Sequence, residues 1–205
     1  MTAWIHEFLV QVKSTSWLEW LAAVFGVFSV LFAQRNHILL YPTGLVSTGI
    51  YAYLLSRREA GLYAEALLNT YYFIMTLYGW WHWKRSEGAE ELVISICNRA
   101  EWFITIGIVL ILWPLFWYLL GFTPSTVPGW DSFVSATACA GMWLLARRKV
   151  ENWILLNLSN LVAIPLFAYK GYYVTMLLTV FLFIVAIFGY FNWRRLYRLQ
   201  RTEAF

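Results

Sequence analysis

Long apolar stretches alternate with short charged ones along this chain. Segments free of Asp, Glu, Lys and Arg cover 20–34, 36–56, 66–83, 102–130, 132–146, 152–169 and 171–193. A helix needs about 20 residues to cross ~30 Å of hydrocarbon. Five of these runs reach or nearly reach that length alone. The two shortest, 20–34 and 132–146, become long enough when Glu19 and Arg35, or Asp131 and Arg147, sit at the interfaces with water. Lipid satisfies no backbone N–H or C=O, so a spanning segment is a helix or a barrel strand, and unbroken apolar runs of this length exclude strands. The pattern predicts an all-α membrane protein with seven transmembrane helices, at 17–35, 37–56, 61–84, 100–120, 130–147, 151–169 and 171–196.

Composition supports that class: 61% of the residues are hydrophobic, 20% aromatic and 13% charged, with a mean hydropathy of +0.60. Soluble domains carry about twice that charge. Residues 1–16 include Glu7 and Lys13 and lack a long apolar core, so they do not read as a cleaved signal. A short interfacial helix or an unstructured segment is expected there. Cys97 and Cys139 have no paired spacing. The placement of charge sets an orientation. Lys13, Arg57, Arg58 and Lys170 fall on the N-terminal side of the bundle. Arg35, Lys84, Arg85, Arg99, Arg147, Arg148, Lys149, Arg194, Arg195, Arg198 and Arg201 fall on the other. Basic flanks stay cytoplasmic, which places the N-terminus outside and the C-terminus inside. Arginines that directly follow a membrane helix are read as flanks, not as a nucleic-acid tail.

One motif is written twice: "LYGWWHWKR" at 77–85 and "IFGYFNWRR" at 187–195. At an offset of 110, residues 61–85 match 171–195 at Gly61/Gly171, Tyr63/Tyr173, Leu67/Leu177, Leu68/Leu178, Phe73/Phe183, Ile74/Ile184, Gly79/Gly189, Trp83/Trp193 and Arg85/Arg195. Upstream, an offset of 112 pairs Arg35 with Arg147 and Ser47 with Ser159. Each copy therefore holds three helices. Three crossings end opposite to where they began, so a second copy in the same sense needs one more crossing between them, and 100–120 supplies it. The expected organisation is an N-terminal segment (1–16), a first repeat (17–85), a loop and linker helix (86–128), a second repeat (129–197) and a cytoplasmic tail (198–205). Parallel repeats about an axis along the membrane normal are typical of small carriers, with the substrate between the halves near mid-membrane.

Polar groups at membrane depth are costly and so are functional candidates. Asn69, Tyr72, Thr76, Trp80 and Trp83 share a face of the third helix. Thr179, Leu182, Ala186, Tyr190 and Trp193 are their seventh-helix counterparts. Trp153, Asn157 and Asn160 share a face of the sixth, matched in the second by Tyr41, Leu45 and Thr48. The candidate substrate-binding set is Tyr41, Thr48, Asn69, Tyr72, Trp80, Trp153, Asn157, Asn160 and Tyr190. The competing reading of the amides is helix-to-helix hydrogen bonding, worth ~0.6 kcal/mol per contact. For the tryptophans beside cations, Trp80, Trp81, Trp83 and Trp193, the competing reading is an interfacial belt, strongest for Trp81. Pro42 and Pro165 free backbone carbonyls and mark kinks, used in gating or inert. His6, His37 and His82 are scattered, and no metal-ligand spacing, P-loop or nucleophile elbow occurs, so neither an enzyme nor a cofactor site is expected. Glu19, Glu65, Glu101, Asp131 and Glu151 all fall at helix ends, which favours facilitated diffusion over proton coupling. Gly26, Gly49 and Gly141 can serve close packing within one chain or in a homo-oligomer.

The stretches "LLYPTGLVSTGIYAYL", "GLYAEALLNTYYFIMTLYGWWHW" and "RKVENWILLNLSNLVAIPLFAYKGYYVTMLL" resemble the PnuC family of bacterial nicotinamide riboside transporters over nearly the whole chain. The layout of three, one and three helices is similar to that of the SWEET sugar carriers, although the Pro-Gln pair of their PQ-loop relatives is absent. The resemblance implies uptake of a nucleoside-like vitamin across the bacterial inner membrane down its gradient, followed by trapping through phosphorylation. Flat aromatics would sandwich the cationic ring and amides would hold hydroxyls. The chain departs from the family's pattern at Tyr41, where Trp is expected before Pro. It also departs at Glu65 and Asn69 on the third helix, and at Leu156 after Asn152 and Trp153. Thiamine and riboflavin therefore stand as alternative cargoes, and a non-transporting membrane scaffold as the rival from another class.

Overall fold

The computed structural model describes residues 2–57, 63–86, 93–123 and 125–203. Arg58, Gly61 and the side chains of Tyr63 and Glu65 lie outside the described residues. The order of elements is α1 (Thr2–Ser14), α2 (Trp17–Gln34), α3 (Leu40–Ser56), α4 (Tyr63–Ser86), α5 (Arg99–Leu120), α6 (Pro128–Ala146), α7 (Asn152–Tyr169) and α8 (Tyr173–Glu203). Two of these begin with a capping box. The Ser16 side chain accepts from Glu19 N while the Glu19 carboxylate accepts from Ser16 N, and Asn98 and Glu101 do the same for α5. The pattern satisfies two otherwise orphaned donors at each start. Among the described residues the only extended pairing is an isolated parallel bridge between Ser95 and Lys149.

Four helices, α2, α5, α7 and α8, are long and apolar enough to cross a membrane. Of the other three long ones, α3 has 17 residues and carries Thr43, Ser47 and Thr48, while α4 carries Asn69, Thr70, Thr76 and His82 and α6 carries Asp131, Ser132 and Thr137. Exposed apolar side chains cover the outside, most densely on α5, where Phe103, Ile111 and Tyr118 are 75%, 67% and 68% exposed. Such a surface on a water-soluble monomer would be an aggregation liability. Facing lipid, it is the ordinary solvent contact.

The helices close a ring. Each of α2, α3, α4, α6, α7 and α8 packs on the next in that order, and α8 returns to α2. α3 and α7 stand on opposite sides of the ring and do not pack on each other. α5 lies outside, against α6 with a lesser contact to α4, and α1 packs on the start of α8. Gln11 holds that contact: its Nε2 donates to Gly171 O at 2.6 Å and its Oε1 accepts from Val174 N. The N-terminal segment is thus a docked helix.

The turns entering α3 and α7 repeat bond for bond at an offset of 112. Asn36 N donates to Ala33 O and His37 N to Phe32 O, while Arg148 N donates to Leu145 O and Lys149 N to Leu144 O. Leu40 and Tyr41 then bond to His37 and Ile38 as Asn152 and Trp153 bond to Lys149 and Val150. Asn36 and Arg148 both have φ 55. The helix contacts that follow also correspond, with the small partner exchanged. A Cβ on Gly44 would lie 2.9 Å from Ser29 Oγ, and one on Gly141 would lie 2.9 Å from Leu156 Cδ2. Pro42, expected to free a carbonyl and kink its helix, sits in the first turn of α3, where its missing N–H had no helical partner to lose. Pro165 is inside α7.

The duplicated motif has a packing explanation. A Cβ on Gly79 would lie 2.6 Å from Tyr41 Cε1, and one on Gly189 would lie 2.7 Å from Trp153 Cε2. In each case an aromatic ring from one helix lies on the bare backbone of the next, and a tryptophan one turn on meets that ring edge-on. The Tyr41–Trp83 centroids are 5.5 Å apart at 83°, and those of Trp153 and Trp193 are 5.7 Å apart at 87°. Gly189→Ala is expected to destabilise the protein by about 1–3 kcal/mol through overpacking, read as a lower melting temperature in detergent. Gly107→Ala on α5, where no atom lies within 4 Å of the added carbon, should leave the melting temperature unchanged or raise it.

Candidate functional site

One end of the ring is filled by aromatic side chains. Tyr41, Trp153 and Trp193 are buried together with Ala33, Leu40, Ile94, Leu145, Val150 and Ala186, and Trp80, Trp83 and Tyr190 pack against them partly buried. Trp193 Nε1 donates to Ala33 O at 2.9 Å and Asn192 Nδ2 to Gln34 O at 2.8 Å, so α8 satisfies carbonyls at the end of α2. Cations lie over two rings at this end: Arg148 Cζ stands 3.3 Å from the Trp83 centroid, and Lys84 Nζ stands 5.1 Å from that of Trp80.

A strap formed by residues 93–98 closes the same end. Ser95 N donates to Arg148 O, and Val150 N donates back to Ser95 O. Cys97 N donates to Glu151 Oε1 at 3.0 Å. Lys149 Nζ lies 2.8 Å from Glu101 Oε1, with Arg147 at 3.9 Å from the same oxygen. These contacts hold the Ile94 side chain, fully buried, inside the aromatic cluster.

Further into the ring, α7 turns Trp153, Asn157 and Asn160 away from the side carrying Ile154, Leu158 and Leu161, which are exposed. Trp153 Nε1 and Asn157 Oδ1 are buried without a hydrogen-bond partner. They are a donor and an acceptor one helical turn apart on the same face. A buried polar atom left unpaired costs about 1–3 kcal/mol, so this pair is poised for a polar ligand or water. On α4, Asn69 and Tyr72 are half-buried, and Thr76 is buried with its hydroxyl donating to Tyr72 O. Thr48 donates to Gly44 O on its own helix, α3. Thr48 and Asn160 lie near the middles of α3 and α7, the two helices that face each other across the ring.

The structure thus brings Tyr41, Trp80, Trp153 and Tyr190 into one cluster at the ring's end. Thr48, Asn69, Tyr72, Asn157 and Asn160 lie outside that cluster, on α3, α4 and α7. Trp193, given a belt as its competing reading, is fully buried, whereas Trp81 is 55% exposed, as a belt residue would be. Sequence reasoning passed over Ile94 and Arg148, which reach the cluster only through tertiary contacts. It also passed over Tyr71, whose hydroxyl donates to Cys139 O and ties α4 to α6. A groove of about 380 Å³ lined by Phe191, Arg194, Arg195, Arg198 and Leu199 belongs to the outer face of α8 and shares no residue with the candidate set. Among the described residues no group of His, Cys, Asp and Glu could hold a metal ion.

A helical ring in an apolar shell, with amides turned from lipid and an aromatic plug at one end, has the makings of a membrane transporter. The chain belongs to the nicotinamide mononucleotide transporter family, whose pattern it matches over residues 16–195. It is 26% identical to the nicotinamide riboside transporter PnuC of Escherichia coli (strain K12), across 87% of this chain and 85% of that one. It is 24% identical to the PnuC of Neisseria mucosa, across 88% of this chain and 73% of that one. The fold is similar to the crystal structure of the vitamin B3 transporter PnuC, with a TM-score of 0.71 over 95% of this chain and 88% of the other at 24% identity. The family is one of transporters, not enzymes.

The strap can be followed chemically through Cys97. Burial, and then the neighbouring Glu151 carboxylate, push this thiol up to about 12. A raised thiol pKa leaves less reactive thiolate at neutral pH. Iodoacetamide at pH 8 should therefore alkylate Cys97 far more slowly than free cysteine, and Glu151→Gln should speed the reaction several-fold. Peptide mass spectrometry separates Cys97 from the buried Cys139, and an unchanged rate would show that Glu151 does not guard the strap.

Proposed function

We propose that the chain is a carrier for nicotinamide riboside, working by facilitated diffusion and alternating access between two parallel halves. In this reading 17–85 and 129–197 are the repeats, with α2–α4 and α6–α8 as their helices. Residues 1–16 precede them, 86–128 carry the linker crossing α5, and 198–205 end the chain as a tail. All seven long helices cross the bacterial inner membrane, with the N-terminus outside and the ring's aromatic end towards the cytoplasm. The matching turn bonds at 36–41 and 148–153, and the exchanged small residues at Ser29/Gly44 and Gly141/Leu156, support the duplication. The eleven basic residues assigned to the aromatic end support the orientation.

The observation that carries the substrate reading is the unpartnered pair on α7: Trp153 N–H, in the aromatic plug, and Asn157 Oδ1, one turn nearer the middle of the helix. A nucleoside with a cationic ring needs both halves of that chemistry. Indole and phenol faces attract the pyridinium by about 0.5–2 kcal/mol, and amides meet the ribose hydroxyls. Asn157, Asn160, Asn69 and Thr48 are the polar contacts in this proposal, with Tyr72, Trp80, Tyr41, Trp153 and Tyr190 forming the aromatic walls and floor. Relatives named for nicotinamide riboside support the cargo. The filled aromatic end corresponds to a state closed towards the cytoplasm.

Two measurements decide it. Liposomes carrying the purified protein should accumulate labelled nicotinamide riboside until inside and outside concentrations match, and excess unlabelled thiamine should not compete. Asn157→Leu and Asn160→Leu should each cut uptake about two- to tenfold, the loss of one hydrogen bond to the cargo, without lowering the melting temperature. Stronger competition by thiamine than by unlabelled nicotinamide riboside would reassign the cargo. Unchanged uptake in both variants would return the amides to helix packing. The initial rate should also ignore an imposed pH gradient, and a rate that follows the gradient would replace facilitated diffusion with proton coupling.

A further inference from the structure

The two turns that match bond for bond differ in the side chain at their left-handed position. Residue 36 is Asn and its counterpart 148 is Arg, both at φ 55. Asn is among the residues that tolerate this conformation, and Arg is not. The backbone of Arg148 is held there by its own N–H on Leu145 O and by Ser95 N on its carbonyl, so the choice of Arg at this position points to what its side chain reaches. Its neighbours Arg147 and Lys149 turn to Glu101. Arg148 turns inward, is buried, and lays its guanidinium 3.3 Å from the centroid of the Trp83 ring, much closer than the 5.1–6.0 Å of the other cation–ring contacts. Trp83 meets Tyr41 edge-on at the plug. Its counterpart Trp193 has no cation over its ring among the described residues; its indole N–H bonds Ala33 O instead.

An indole beside the transport route, with a cation over one face, is a cation–π site already filled from within. Arg suits the role because its weakly hydrated planar guanidinium stacks on aromatic faces more readily than an ammonium. We propose that the Trp83 ring face is an exit-side subsite for a cationic aromatic ring and that Arg148 is its tethered competitor. While this end is closed, the guanidinium occupies the face. A departing pyridinium must exchange with it, since two cations cannot share one ring face without strong repulsion. Once the cargo is gone, Arg148 re-covers the face and opposes rebinding from the same side. Arg148 thus acts as a positioning and charge-selecting residue on one side of the membrane only. The inference rests on the transport reading above.

The test uses liposomes of known protein orientation and compares half-saturation from each side. Arg148→Gln should tighten half-saturation for nicotinamide riboside at the plugged side by about three- to tenfold, the span of a partly buried cation–π contact, and leave the far side within about twofold. The uncharged 1,4-dihydropyridine form of the same nucleoside, matched in size, should show no side-specific shift. Arg148→Lys should give a smaller shift in the same direction and carries the test if the glutamine variant fails to fold. Equal shifts on both sides, equal shifts for charged and uncharged forms, or no shift would each overturn the competitor role. Absence of saturable transport by the wild-type protein would instead refute the carrier reading on which it rests.

Discussion

An aromatic ring can lie directly on a helix only where that helix has no side chain to keep it off. Tyr41 on Gly79 and Trp153 on Gly189 meet that condition in both halves of the ring, and the closed end follows from it. The two rings come close enough to the next helix for Trp83 and Trp193 to meet them edge-on. Edge-to-face pairs of this kind add about 0.5–1.5 kcal/mol beyond burial. In a bilayer such contacts count for more in relative terms, because lipid is as apolar as leucine and exclusion from water does not drive helices together. Shape complementarity and a few hydrogen bonds must carry the association. The glycine–aromatic contacts supply the first, and Trp193 N–H on Ala33 O, Tyr71 hydroxyl on Cys139 O and Ser159 hydroxyl on Val134 O supply the second.

Charge is managed by the same constraint. Ion pairs form at the two ends of the bundle: Glu101 takes Lys149 and Arg147 at the plugged end, and Asp131 takes Lys170 at the other, with Ser125 donating to the same carboxylate. Each carboxylate lies in the first turn of its helix, α5 or α6, where the helix dipole favours negative charge. Between the two ends the helices carry neutral groups. Hydroxyls on the helices mostly bond back to their own backbone, as Thr48, Thr76, Thr137 and Thr179 do. That leaves Asn157 as a polar group with spare capacity facing inward, and it makes the amide more informative than the hydroxyls around it.

Helix positions were legible in the sequence because charged residues interrupt the apolar runs at the membrane boundary. Residues 17–35 were expected where α2 covers Trp17–Gln34, and 151–169 where α7 covers Asn152–Tyr169. The repeated Gly-x-x-x-Trp was legible as a repeat, though not as a clamp, since nothing local says that the ring filling each glycine's gap comes from residue 41 or 153. Trp193 shows the limit of reading a tryptophan by its neighbours. Beside Arg194 and Arg195 it looks interfacial, yet α2 and α7 bury it completely. Ile94 and Arg148 were invisible for a related reason. Ile94 belongs to a loop without periodicity and Arg148 to a run of three cations, and only the chain's return through the strap reveals that these two side chains turn inward.

The last helix carries one further consequence. α8 has 31 residues, close to 46 Å at 1.5 Å per residue, against about 30 Å of hydrocarbon. The first turn beyond Trp193 is anchored, because Leu196 and Tyr197 pack back on the aromatic cluster. The stem beyond Trp193 is therefore a continuous helix whose inner end is the plug itself. A fusion partner or surface immobilisation attached there bears directly on the plug, whereas the same attachment at the start of α1 reaches it only through the whole length of α8.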